Sequence, residues 1–228
     1  MTSPRVVAFV HAKGRSERVP SKNLRVLGDR PLFCHAIANA LAAERVDLVV
    51  IDSDSDEILE IGKSHGATPL KRPPELASNA TSGDDLAYWQ ASSQPQSTMV
   101  LQVIPTAPFL KPHSIDRAVV MLQAGDVESV AGVFSDVFYE WKAGRPAYYR
   151  SDGTLPNSSE LSPTVFETTG LYANLTQAVL RTRKRMNPDK VAPLFLSRLE
   201  AVDINTPEDF AFAEVIERGL SRDRGKAR

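Results

Sequence analysis

Two rhythms of apolar and polar positions alternate along this chain. Arg5–Ala12 is an almost unbroken β-branched and apolar run, the pattern of a strand buried on both faces. A polar stretch follows, Lys13 to Arg25. Pro31–Glu44 then places Leu32, His35, Ile37, Ala40 and Leu41 at helical spacing, with Pro31 near the first helical position. Val46–Ile51 predicts a second buried strand. Asp52-Ser53-Asp54-Ser55 supplies N-cap candidates for a helix over Asp56–His65, and Gly66 ends it. Thr68–Lys71 predicts a short strand, Ser82–Ala91 a helix and Thr98–Ile104 a long strand. Ser114–Ala124 predicts a helix, Glu128–Phe134 a strand, Val165–Ala173 a strand and Thr176–Arg185 a helix. Ala192–Val202 predicts the last strand and Pro207–Arg218 the last helix, leaving 221–228 as a frayed, flexible tail.

Strands alternating with helices at this spacing predict right-handed crossovers, an α/β fold and a mostly parallel sheet with helices on both faces. Ligands in such sheets bind beyond the carboxyl ends of the strands, so the loops after Ala12 and after Ile104 are the places to examine. The rhythm breaks between about 136 and 163. Phe138, Tyr139, Trp141, Tyr148 and Tyr149 fall there without a period, with a predicted hairpin over Trp141–Arg150 turning at Ala143-Gly144. Such an excursion either covers its own core or packs on a partner.

Composition narrows the class. The chain has 228 residues, 42% hydrophobic and 24% charged, the make-up of one large folded domain rather than a disordered chain. Its 27 basic and 28 acidic residues leave a net charge of −1, so no basic field favours nucleic acid as a partner. No apolar run reaches a membrane span, and the first apolar run is too short for a secretory leader. Cys34 is the only cysteine, which excludes an intramolecular disulfide and fits a reducing cytoplasm. One cysteine and four scattered histidines exclude a structural zinc site. Asp52, Asp54 and Asp56 lack the glycine and glutamate of a calcium loop.

The segment Lys13-Gly14-Arg15-Ser16-Glu17-Arg18-Val19-Pro20-Ser21-Lys22-Asn23 is the most informative. Four cations stand close together directly after a buried strand, with a glycine that lets the backbone approach a ligand closely. Arginine forks and lysine point charges suit phosphate oxygens. The spacing matches neither a P-loop nor Gly-x-Gly-x-x-Gly. The segment reads as a polyphosphate-binding loop, against the alternative of a solvated basic turn.

Ala12-Lys13-Gly14-Arg15-Ser16-Glu17-Arg18-Val19-Pro20-Ser21-Lys22-Asn23-Leu24 resembles the signature of the CMP-N-acylneuraminate (CMP-sialic acid) synthetases, Ala-Arg-Gly-Gly-Ser-Lys-Arg-Val-Pro-x-Lys-Asn-Leu. Its Ser-x-Arg-x-Pro-x-Lys core is shared with the CMP-Kdo synthetases. Four further stretches are similar to that family's motifs: Leu70–Ala77, Gln102–Leu110, Gly170-Leu171-Tyr172 and Val202–Phe210. The resemblance implies a Rossmann-like three-layer nucleotidyltransferase fold over residues 1–220, with the 136–163 excursion building a homodimer. It implies CMP transfer from CTP to a sialic-type sugar acid, with release of pyrophosphate and Mg2+ as cofactor. Acceptors of Kdo or phosphonate type, and a catalytically silent nucleotide-binding homologue, are the alternatives.

By the same resemblance Lys22, Arg18 and Lys13 are the catalytic cations. Ala12, Gly14, Ser16, Asn23, Arg72 and Ser82 lie on the nucleotide side. Gln102 and Thr106 are substrate-side candidates, and Asp203 and Asn205 fall on the family's paired metal aspartates. Each has a plainer reading. Arg72 before Pro73-Pro74 reads as a solvated loop charge, Ser82 as a helix cap, and 205–209 as the cap of the last helix. His11 reads as a histidine satisfied near the core, and Cys34 as a small buried hydrophobe. Three positions that in the family commonly help hold the sugar and its carboxylate depart from its pattern: Ile104 replaces a glutamine, Leu110 an arginine, and Glu167 stands where an arginine is common. Glu17 likewise replaces a lysine.

Overall fold

The computed structural model describes residues 5–16, 19–78, 80–147 and 152–226, with side chains to 222. In chain order the elements are β1 (Val6–His11), β2 (Val26–Leu27), β3 (Arg30–Pro31), α1 (Leu32–Leu41), β4 (Leu48–Ser53), α2 (Asp56–Ser64) and β5 (Thr68–Lys71). Then come α3 (Gly83–Ser93), β6 (Met99–Val103), α4 (Pro112–Gln123), β7 (Ser129–Asp136), β8 (Trp141–Lys142) and β9 (Arg145–Pro146). The chain closes with β10 (Thr164–Leu175), α5 (Thr176–Thr182), β11 (Val191–Phe195) and α6 (Pro207–Lys226).

Seven strands form one sheet in the order β11-β7-β10-β6-β1-β4-β5. β1 pairs in parallel with β4 and β6, β4 with β5, and β7 with β11. β10 alone runs the other way, antiparallel to both β6 and β7. The central strands bury both faces, which is why their sequences are nearly continuous in valine, isoleucine and leucine. Val6, Ala8 and Val10 pack under α1, α2 and α4 through Phe33, Ile37, Ile58 and Ile115. Val7, Phe9, Val50 and Val100 pack on the other face against Ala87 and Ala91 of α3 and Val179 of α5. The result is the expected three-layer, mostly parallel, Rossmann-like α/β fold.

Several boundaries moved, each for a physical reason. β4 runs on through Asp52 and Ser53, both buried, because their polar groups find partners inside the fold. The cap of α2 is therefore Ser55, whose hydroxyl accepts from the Ile58 N–H. α1 starts at Leu32 and stops at Leu41; Ala42 and Ala43 still donate to helix carbonyls, and the N–H groups of Glu44 and Arg45 donate to the Asp116 carboxylate. α5 ends at Thr182, short of the predicted Arg185, where Arg183 turns to φ +56°. β11 ends at Phe195, well before Val202, since Ser197 and Glu200 close a turn there. α6 extends to Lys226, so 221–226, expected as a frayed tail, continues the helix. Ser221 donates back to Glu217 at 3.0 Å and supports that continuation. The β2–β3 ribbon, turning at Gly28 (φ +66°), has no counterpart in the sequence expectation.

The excursion leaves from the end of β7 and returns along β10. Its hairpin turns at Ala143-Gly144, as predicted, with φ of +47° and +75°. That pair of positive φ angles is the turn geometry of a two-residue hairpin. The predicted arm continued to Arg150, and 148–150 lie outside the described residues. Phe138, Trp141, Val165 and Phe166 are exposed, with Trp141 at 66%. Phe166 stacks on Phe134 at 5.3 Å and meets Phe138 edge-on at 6.4 Å.

Candidate active site

The carboxyl ends of β1, β4 and β6 open into a cleft of about 510 Å³. Its wall is made by His11, Lys13, Arg15, Ser16, Lys22 and Asn23 from the first strand and its loop. Arg72 and Leu86 come from the crossover between β5 and β6, and Ile104, Pro105 and Thr106 from the loop after β6. This is the position that strand polarity predicts for a ligand.

The described parts of the basic loop, 13–16 and 19–25, are each tied to the fold. Gly14 donates its N–H to Asp54 Oδ1 at 3.0 Å, and a Cβ there would lie 2.9 Å from Ser55 Cβ. The close approach that selects glycine is thus to the start of α2. Val19 is buried and pins the loop's middle. A tight turn follows, with Ser21 at φ +50° and the Lys22 N–H donating to the Val19 carbonyl. The turn directs Lys22 inward. Only 8% exposed, Lys22 donates through Nζ to the Ile204 carbonyl at 2.7 Å. Lys13 Nζ reaches the Ser78 carbonyl at 2.7 Å, and Asn23 Nδ2 ties the Lys13 carbonyl at 2.9 Å. Ala12 is fully buried and hydrogen-bonds through its N–H to Asp52, so its contribution is to place the loop. Arg18, with Glu17, lies outside the described residues.

Arg72 is not a solvated loop charge. It is 1% exposed, and its guanidinium donates to Asp52 Oδ1 at 2.9 Å and to the Asp52 carbonyl at 3.0 Å. Asp52 Oδ2 accepts from Gln90 Nε2 at 2.9 Å, and Gln90 Oε1 from Gln102 Nε2 at 2.8 Å. Asp52 and Gln90 thus hold Arg72 beside the cleft, with Nη1 buried and without a protein partner. A buried cation is tolerable only when so paired. Gln102, read from sequence as touching substrate, lies behind the cleft wall, where its amide completes this chain of hydrogen bonds. Ser82, read as both cap and nucleotide contact, is the cap: its hydroxyl accepts from the Asp85 N–H at 3.1 Å, and Asp85 reciprocates. Ser82 is exposed and does not line the cleft.

Thr106 does line the cleft, and its carbonyl accepts from the Ile204 N–H at 2.9 Å. That bond brings 203–205 to the cleft's edge. Asn205 donates its side-chain amide to Asp203 Oδ2, and Thr169 Oγ1 approaches the same oxygen at 3.4 Å. Asp203 Oδ1 is buried with no protein partner. The helix-cap reading is also realised, by Thr206 and Asp209. A bulge between Glu167 and Tyr172, with Thr169 at φ +55°, aims Thr169 at Asp203.

Arg185, which no motif announced, stands against Tyr172 of the Gly170-Leu171-Tyr172 stretch; His11, near Arg185, is the one of the three that lines the cleft. Tyr172 is buried on β10 and donates its hydroxyl to Glu167. Its burial, then that hydrogen bond, pushes the phenol up. The Arg185 guanidinium stacks on the Tyr172 ring at 4.0 Å. His11 keeps Nδ1 buried and without a partner, contrary to the expectation of a satisfied ring. Burial, then the charges of Arg72, Arg185 and Lys13, push its pKa down to about 3. His11 is therefore neutral at physiological pH and a weak base. Among the departures from the family pattern, Leu110 is buried in the core and Ile104 lines the cleft.

The comparisons with known proteins agree with this geometry. Residues 7–159 match the family model described as Cytidylyltransferase. A CMP-N,N'-diacetyllegionaminic acid synthase of Legionella pneumophila is 28% identical over 92% of this chain and 95% of its own length. A pseudaminic acid cytidylyltransferase of Campylobacter jejuni is 24% identical with the same coverage. The N-acylneuraminate cytidylyltransferase of Oncorhynchus mykiss is 27% identical over 60% of this chain and 32% of its own length. A solved CMP:2-keto-3-deoxy-manno-octonic acid synthetase complexed with CTP superposes with a TM-score of 0.70 at 14% identity. It covers 96% of this chain and 99% of its own, and shows the same fold. The match over two thirds of the sequence, on a sheet whose carboxyl edge carries a cationic cleft, makes this chain a nucleotidyltransferase of the cytidylyltransferase family.

Proposed function

We propose that this chain transfers CMP from CTP to the hydroxyl of a sialic-type nonulosonic acid and releases pyrophosphate. The observation that carries the reading is the convergence of Lys13, Arg15, Lys22 and Arg72 on one cleft beyond the strands' carboxyl ends. The two relatives matched along nearly their whole length are named for legionaminic and pseudaminic acids, which supports this acceptor class.

In such a reaction the acceptor oxygen attacks the α-phosphorus in line while the bond to the bridging oxygen breaks. Catalysis is mainly positioning and neutralisation of phosphate charge. Lys22 suits the reacting phosphate: it is buried, so its charge is weakly screened, and the Ile204 carbonyl orients it. Arg72, fixed by Asp52, offers its free Nη1. Lys13, Ser16 and Asn23 suit the remaining phosphates and the ribose. Gly14 and Ala12 set the loop's course, and Arg18 completes the proposed cation set.

Mg2+ belongs to the proposal. Among the described residues no three acidic or histidine groups gather as a metal cage. Asp203, with its buried unpartnered Oδ1, and Asn205, through its carbonyl oxygen, fit an ion that takes its other ligands from phosphates and water. Bound there, the ion would neutralise phosphate charge. A homodimer through the exposed excursion aromatics, and a reducing cytoplasm for the buried Cys34 thiol, complete the reading.

Lys22→Ala tests the site directly. Loss of a buried charge contact to the reacting phosphate is expected to lower kcat by about 100-fold or more, with the CTP-binding fold intact by calorimetry. Turnover retained within a few-fold would remove Lys22 from the chemistry.

A further inference from the structure

Arg185 occupies a seat prepared for its guanidinium. It follows α5 in the loop toward β11, and its backbone N–H donates to Asp84 Oδ1 at 2.8 Å. The other oxygen of Asp84 holds Lys184 Nζ at 3.0 Å. The guanidinium lies over the Tyr172 ring, which is itself fixed through its hydroxyl to Glu167. It also fills the space of an absent side chain. A Cβ on Gly83 would stand 2.6 Å from Arg185 Nη1 and 2.7 Å from Cζ. Any residue but glycine at 83 would displace the group.

The charge so placed is half-buried, and among the described residues no carboxylate accepts from it. The neighbouring acids are committed elsewhere. Asp84 holds the Arg185 backbone and Lys184, Glu167 accepts from Tyr172, and Asp203 from Asn205 and Thr169. Arg72, Arg181 and Arg198, by contrast, are each paired with an acid. Arg185 is close enough to His11 in the cleft wall for its charge to help hold that ring neutral.

We infer that Arg185 is the counter-ion of the acceptor's carboxylate. The inference rests on the reading of the acceptor as a sugar acid. In a 2-keto sugar acid the anomeric hydroxyl and the carboxylate share one carbon, so the reaction brings a carboxylate up to a phosphate. Two like charges approach only where a second cation, distinct from the triphosphate's, meets the carboxylate. Ile104 and Leu110 are apolar and Glu167 is an acid, so none of these supplies it. A guanidinium fork already oriented by Tyr172 and Gly83 does so with little ordering cost.

Steady-state kinetics with CTP, comparing a nonulosonic acid with its carboxamide, test this in wild type, Arg185→Gln and Arg185→Lys. Thermal melting and CTP calorimetry report fold and nucleotide binding. Arg185→Gln is expected to raise the acid's KM by roughly 30-fold or more while CTP affinity stays within about two-fold. The preference for acid over amide should collapse in that variant and return in part with lysine. An unchanged KM and preference would overturn the inference. A loss of CTP affinity at unchanged acceptor KM would also overturn it, by making Arg185 a nucleotide contact. If wild type itself turned over no sugar acid, the acceptor reading would fall, and the inference with it.

Discussion

Asp52 shows what a single residue can hide. In sequence it heads Asp-Ser-Asp-Ser before a helix and reads as a cap. In the fold it is the fully buried end of β4, and its partners Arg72 and Gln90 lie 20 and 38 residues away. Only tertiary contact reveals that role. Arg72→Met would strand the Asp52 charge, and unfolding in urea should show a loss of about 3–5 kcal/mol. The double change with Asp52→Asn should recover much of it, because no unpaired charge remains. A single-variant loss below about 1 kcal/mol would mean that the pair is not holding the site. His11 gives a pH signature. Its folded pKa, about 3, lies below its ordinary value of 6.5. The unfolded chain therefore binds the extra proton between those values. This group's stabilisation is complete above pH 6.5 and is lost as pH falls toward 3. Depressed carboxylates such as Asp29 and Asp84 act in the same direction at lower pH. The test is the difference between wild type and His11→Gln in urea midpoint against pH. The variant should fall less steeply between pH 6.5 and 4, and parallel curves would contradict the assignment.

Elements were more legible than their ends. Long apolar runs announced β1, β4, β6 and β7, because a strand covered on both faces has little room for polar residues. Boundaries failed where polar groups were buried with partners, as in β4, or where a turn stopped the chain, as at Arg183 after α5. The basic loop was legible as chemistry, and Lys22, Asn23, Ser16 and Lys13 do meet in the cleft. Gln102 and Ser82 lie outside the cleft lining, Gln102 in hydrogen bond to Gln90 and Ser82 as the cap of α3, contacts that the motifs do not announce. Arg185 carried no signal, because an arginine in the run Arg181–Arg185 looks solvated until the Gly83 seat is seen. At this scale the excursion makes a prediction. Phe138, Trp141 and Phe166 are exposed apolar side chains of the excursion and the outer half of β10, with Phe138 and Phe166 in edge-on contact. Sedimentation equilibrium should find a dimer, and Trp141→Ser with Phe166→Ser should weaken it by about 100-fold or more. A wild-type monomer at high protein concentration would contradict that use of the surface.

At the scale of the whole molecule, a net charge of −1 leaves room for a local concentration of cations. Lys13, Arg15, Lys22 and Arg72 line one cleft at the carboxyl edge of the sheet, where β1, β4 and β6 end together. A cleft lined by four cations suits a polyanion, and the cytidylyltransferase family supplies the class of reaction. The polyanion proposed is CTP, whose CMP part is passed to a sugar acid. The most direct measurement is pyrophosphate release with Mg2+ from CTP, ATP, GTP and UTP in turn, each with a panel of nonulosonic acids, Kdo and small phosphonates. Release is expected with CTP and a nonulosonic acid, matched mole for mole by CMP-sugar, with little from the other nucleotides. Failure to bind CTP, or CTP binding without release across the nonulosonic acids, would contradict it.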